Sequence, residues 1–423
     1  MIGVRAPFVS SAGLARTYLM RASDALASAT ATYAIPLLVL VTTGSTALTG
    51  LAFLFEWAPR LAAFAFAGVL VDRWGAGSVF RAANTVRACL VFLTGAALLV
   101  LPMAGTVTTG VVLAFSAVSG LLAEVSFVAV ETLGVAAGRR LGAEAHRVQA
   151  TQTGIDQGAV LVGPLLGGLL LLADPSVMMA VVALLSLVAT VTASGVTQPA
   201  RHATEPSSLA AGWRVLRRTP ALVWLVVSLA ASNLATGVLQ AAAPIMVLHQ
   251  FHSSTALVGS VWSAAAVASL LAVWVSRRAI DRCGTWAVGA VAAALATAAC
   301  LVTAVAPTFF TYTVAVAVVM AGEGALTVVL RTLRSRLIPA AAFGSTLAAT
   351  ILLVLVPLPL AGALVALVPA AELPHLLLAC AALQGLVLAA CFAGLRRHRA
   401  ACEPPRQQVP RPRHEYAEPV GTP

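Results

Sequence analysis

The sequence predicts an all-α membrane protein with twelve transmembrane helices in two pseudo-symmetric six-helix halves. Three observations carry this. Of 423 residues, 60% are hydrophobic and 10% charged, against roughly 25% charged in a soluble domain. The apolar residues gather into runs of about 20, the length that crosses a bilayer. Landmarks recur at a fixed offset: Ser45-Thr-Ala-Leu-Thr-Gly50 with Ser254-Thr-Ala-Leu-Val-Gly259 and Asp72-Arg73 with Asp281-Arg282 at 209 residues, and Pro36 with Pro244 at 208. A constant offset over three landmarks indicates an internal duplication.

Taken in order, the spans are 18–41, 47–71, 82–101, 108–130, 150–173, 176–196, 220–247, 255–276, 285–305, 308–330, 346–369 and 373–395. Gly44, Pro102, Pro175 and Pro307 fall at the breaks, where turn chemistry belongs. The domains follow: a first half over 1–196, a linker over 197–219, a second half over 220–395 and a tail over 396–423. The linker carries Trp213-Arg-Val-Leu-Arg-Arg218, which reads as a short amphipathic helix on the membrane face. The Pro-rich polar tail is expected to be disordered. The first apolar run is followed by further spans and reads as a first transmembrane helix rather than a cleaved leader.

All 26 basic residues are arginine, and the formal net charge is +11. They are spread through short loops, which argues for topology and against nucleic-acid binding. With the N-terminus inside, the arginines of the loops and tail fall inside, and Arg60 is the one read as lying within a span. Both termini are then cytoplasmic, in a multi-pass protein of the cytoplasmic (inner) membrane. The six cysteines show no CxxC pairing and read as reduced thiols.

The motif Gly68-Val-Leu-Val-Asp72-Arg73-Trp-Gly75 between spans two and three, together with the duplicated halves and the central loop, resembles the major facilitator superfamily. A second motif, Gly154-x-x-x-Gly158 followed by Gly163-Pro164-Leu-Leu-Gly167-Gly168, resembles the glycine-proline motif of its exporters. Ser23-Asp24-Ala-Leu-Ala, Trp213 to Pro220 and Arg336-Leu-Ile-Pro339 resemble its bacterial branch of drug and siderophore exporters. The resemblance covers about residues 15–395 and departs in two places. Ala76 and Gly77 stand where the family places basic residues, and Arg277 stands in the second copy where the first has Gly68. The resemblance implies that Gly68, Asp72, Arg73 and Gly75, with Asp281 and Arg282 in the second copy, form a cytoplasmic gating latch. It also implies that Gly158, Gly163, Pro164, Gly167 and Gly168 form a tight joint.

Intramembrane acids are costly and rare, so each is a functional candidate. Asp24, Glu124, Glu56 and Glu323 are the proton-coupling candidates; Asp24 matches the acid that the resembling exporters carry in span one. Glu56 and Arg60 stand four apart on one face of span two, about 15 Å from the outer end at 1.5 Å per residue. Asn233 and Gln240 share a face of span seven, as cavity lining or as an interhelical hydrogen bond. These four are the substrate-cavity candidates. Asp156 reads as a helix-start residue. His249, His252 and His375 fall in outside loops, and no metal site is expected. No nucleotide-binding loop or catalytic constellation is present in the sequence, so neither an enzyme nor a cofactor is expected.

The expected function is export of a small organic molecule, drug-like or a secreted metabolite, by proton antiport and alternating access in a monomer. The alternatives are a siderophore exporter specifically, an importer, or a non-transporting receptor of the same fold.

Overall fold

The computed structural model describes residues 11–101, 105–141, 145–194, 209–338 and 343–398. Fourteen α-helices follow one another among the described residues: α1 (Ser11–Thr43), α2 (Thr46–Trp74), α3 (Ala76–Val100), α4 (Thr106–Leu141), α5 (Ala145–Ala173), α6 (Pro175–Ala193), α7 (Leu209–Arg218), α8 (Pro220–Ile245), α9 (Thr255–Cys283), α10 (Thr285–Ala304), α11 (Phe309–Leu337), α12 (Phe343–Leu355), α13 (Pro357–Leu367) and α14 (Leu373–Arg397). Among the described residues, eleven spans are long and apolar enough to cross a membrane, and α2, bent by 54°, makes a twelfth. The amphipathic α7 lies in the linker and packs on the second half, and α12 with α13 forms one broken span. The apolar runs of the sequence and the helices thus agree in number and order. The sequence places the start of the tail at 396, but α14 runs through Arg397; from residue 399 the tail lies outside the described residues, as does most of the linker.

Local chemistry sets the helix ends. Ser45 caps α2 by accepting from the Leu48 N–H at 3.3 Å, and Thr308 caps α11 by accepting from Thr311 at 3.2 Å. Asp174 caps α6 ahead of Pro175 at its first turn. The duplicated glycines Gly75 and Gly284 take φ of 78° and 81° and close the ends of α2 and α9 in the same way. A side chain there would be strained, because positive φ is a glycine conformation.

Two ends of the bundle differ. One carries exposed Arg73, Arg277, Arg278, Arg282, Arg396 and Arg397 and is the basic end. At the opposite end a single apolar core runs through both halves, from Ile35, Phe53 and Met179 to Val238, Trp262 and Ala361. At the basic end the core is divided. Met20, Phe80 and Val130 pack within the first half, and Leu225, Leu330 and Leu395 pack within the second. Among the described residues, the apolar core is thus shared by the halves at one end and divided between them at the other.

Candidate functional site

The joint is made by backbone approaching backbone, which small residues permit. A Cβ on Gly50 of α2 would stand 2.4 Å from the Ala366 nitrogen of α13, and one on Gly362 would stand 2.5 Å from the Leu54 nitrogen. A Cβ on Gly259 of α9 would stand 2.3 Å from the Pro164 carbonyl oxygen of α5, and one on Gly168 would stand 2.4 Å from the Thr255 oxygen. The Thr255 hydroxyl donates to the Gly168 carbonyl at 2.9 Å, and the Ser263 hydroxyl donates to that of Leu161 at 2.6 Å. Gly50 and Gly259 are the last residues of the duplicated stretch, so each copy of the repeat supplies one of two pseudo-equivalent contacts.

Gly163 and Gly167 instead face α1, where added Cβ atoms would meet Ala29 at 2.7 Å and Ala34 at 3.0 Å. Gly154, Gly158 and Gly68, nearer the basic end, have open space in front of them. Asp72, Arg73, Asp281 and Arg282 are exposed there, and none makes an ion pair among the described residues.

Below the joint lies a buried polar cluster. Arg60 Nη2 donates to Glu56 Oε1 at 2.7 Å and to the Thr32 hydroxyl of α1 at 2.6 Å. Its guanidinium stacks 4.5 Å from the centre of the Trp57 ring. Tyr33 lies beside this pair and packs on Trp262 of α9 at 5.4 Å between ring centres, so the cluster touches the second half. Glu124 of α4 is within electrostatic reach of Arg60. Glu56 is fully buried, and its Oε2, the Trp57 Nε1 and the Arg60 Nε have no hydrogen-bond partner among the described residues. One acceptor and two donors are left unspent in a low-dielectric interior, where such groups are costly.

A second cluster lies in the other half. Gln384 of α14 donates to Glu323 Oε1 of α11 at 2.5 Å and to the Ser232 hydroxyl of α8 at 3.4 Å. Glu323 is 9% exposed, has no cationic partner among the described residues, and sits beside the unpartnered Gln384 Oε1. As an ion this carboxylate lacks a countercharge.

Two further networks tie the first half together. Arg87 of α3 donates to Asp24 at 2.6 Å, to Asn84 at 2.6 Å, to Ser28 at 2.7 Å and to Ser186 of α6 at 3.0 Å. Ser126 of α4 donates to the same Asp24 oxygen at 2.8 Å. Asp24 is thus an ion-pair partner in a network bridging four helices. Arg21 of α1 binds Asp156 of α5 at 2.5 and 2.9 Å and also Glu131 of α4.

These placements correct two expectations. Arg21 and Arg87 lie buried within spans, so Arg60 is not alone there. Asp156 lies inside α5 rather than at its start. Of the two roles open to Asn233, the structure shows the interhelical one: it donates to the Val354 carbonyl at 2.7 Å, in the last turn of α12 before the break at Pro357. Gln240 is half-buried and makes no hydrogen bond among the described residues. His375 pairs with Glu372 at 2.8 Å, and no cluster with metal-ligand composition occurs among the described residues. Sequence reasoning does not single out Arg87, Gln384 or Ser232 as site residues. A polar residue inside an apolar run is the available signal, though nothing in the sequence pairs them.

Twelve spans in two halves, broken helices and a buried polar cluster that touches both halves are features of a secondary-transporter architecture. Residues 17–357 match the family model of the Major Facilitator Superfamily, and the chain belongs to that family. Among solved structures, it resembles a bacterial homologue of the iron transporter ferroportin in an inward-facing state, at TM-score 0.68 and 14% identity, over 90% of this chain and 97% of that one. A point mutant of the nucleoside transporter NupG matches at TM-score 0.75 and 11% identity, over 90% and 99%. A bacterial homologue of the human lysosomal transporter Spinster, inward-facing and unoccupied, matches at 0.68 and 14%, over 95% and 100%. No curated protein matches the chain.

Proposed function

We propose that the chain is a proton-coupled exporter of a small organic molecule in the cytoplasmic membrane, with the basic end and both termini in the cytoplasm. The core that is continuous at one end and divided at the other carries this reading. With the basic end inside, the conformation is inward-open, and the exposed, unpaired Asp72 and Arg73 are a released latch.

The halves rock about the mid-depth cluster, so cargo enters from the cytoplasm and leaves when the two glycine joints part. The Glu56–Arg60 cluster is the cargo site. It is buried at mid-depth, touches both halves, and holds one acceptor and two donors in reserve. Glu323 carries the coupling proton, because among the described residues it is the buried acid without a cation, and neutralisation relieves its cost. Glu124 is a secondary carrier near Arg60. Asp24, held by Arg87 and Ser126, keeps four helices in register rather than exchanging protons.

The test is proton release by the purified protein in detergent as candidate cargoes are added, including siderophores and permanently charged lipophilic cations. A cargo that triggers release in the native protein, but not in Glu323→Gln, supports the assignment. Release that survives Glu323→Gln and is lost in Asp24→Asn, with folding intact, overturns it.

A further inference from the structure

We propose that α7, in the linker between the halves, is a docking face for the headgroups of anionic phospholipids. The helix has two faces. Gly212 and Leu216, four apart, turn inward: a Cβ on Gly212 would stand 2.1 Å from the Ser345 carbonyl oxygen at the start of α12, and Leu216 is 5% exposed in the second-half core. This fixes α7 at the basic end, where α12 begins and Pro220 starts α8. At 100° per residue, Arg214, Arg217 and Arg218 point the other way, and all three are exposed. No acidic residue occurs in Leu209–Arg218, and none of these arginines forms an ion pair among the described residues.

Trp213 lies at the border of the two faces, 41% exposed, with the Arg217 guanidinium 5.0 Å over its ring. An indole flanked by arginine suits the headgroup level of a bilayer, apolar on one side and wet on the other. The same device recurs on α9, where Arg278 stacks 3.9 Å over Trp274, itself 56% exposed. Three uncompensated arginines on a helix lying against the bundle complement the negative surface of an anionic leaflet.

The experiment is thermal unfolding of the full chain in neutral detergent with added phosphatidylglycerol, phosphatidylcholine or glycerol phosphate. Phosphatidylglycerol should raise the melting temperature above either control. The Arg214→Gln/Arg217→Gln/Arg218→Gln variant should melt like the native protein in detergent alone and lose that increment, while the triple Lys variant keeps it. An equal rise with phosphatidylcholine or glycerol phosphate would overturn the proposal. So would an increment that persists in the Gln variant. Neither result bears on proton release, so this proposal and the transport reading fail separately.

Discussion

Substituting alanine at Gly50 or Gly259 perturbs the joint without touching any polar side chain. The added Cβ at Gly50 would stand 2.4 Å from the Ala366 nitrogen and 2.8 Å from the Gly362 oxygen. At Gly259 the distances are 2.3 Å to the Pro164 oxygen and 2.8 Å to the Leu165 Cα. Non-bonded heavy atoms settle near 3.5–4.0 Å, so each contact is short by roughly 1 Å, and every neighbour is backbone that cannot rotate aside. The helices must part. Overpacking costs about 1–3 kcal/mol, and a bias of that size shifts a two-state equilibrium by roughly 5–150-fold. The penalty falls only on the state in which this end is closed. Spin labels at Val107 and Phe310, exposed at this same end of each half, report it by their separation, with Cys89, Cys283 and Cys402 replaced. Gly50→Ala and Gly259→Ala should each populate a longer distance. An unchanged distribution in both variants would mean that the joint is not what holds this end shut.

Breaking the Asp24–Arg87 pair with Asp24→Asn should destabilise the protein by about 3–5 kcal/mol, because it leaves a buried guanidinium unpaired. Thermal unfolding should show a large loss for that variant and partial recovery on adding Arg87→Gln. Asn233→Ala should cost about 1 kcal/mol by removing the donor to the Val354 carbonyl, read as a modest fall in melting temperature. Asp174 accepts from the Ser176 N–H and hydroxyl, which holds its carboxyl below the ordinary aspartate value of 3.8. Its folded pKa is depressed, so its stabilising effect is present above that value and is lost as pH falls through the folded pKa. Acid unfolding of Asp174→Asn should show less of this pH dependence below pH 3.8 than the native protein. Glu56→Gln should weaken cargo binding more than it lowers stability, and a cargo titration by calorimetry checks this.

Much of the fold was legible in the sequence because a bilayer imposes a length and an apolar composition on every span. The duplication was legible too. Its physical meaning was not: that Gly50 and Gly259 are among the points where the halves touch depends on the pairing of α2 with α13 and of α5 with α9. Local signals carried Glu56 with Arg60, which are four apart on one helix. They failed for Asp24 with Arg87 and for Glu323 with Gln384, whose partners are 63 and 61 residues away. Arg87 is hidden for a related reason. Arginine frequency marks cytoplasmic loops, and a single arginine one turn or more inside a span looks like a loop residue until its carboxylate is found.

The most direct measurement is uptake of a permanently charged lipophilic cation by proteoliposomes with an acidic interior. Antiport moves protons out and cargo in whichever way the protein is inserted. Uphill accumulation should need both the protein and the gradient, and Glu323→Gln should abolish it. Accumulation only with an alkaline interior would mean that cargo and proton travel together, and would contradict antiport.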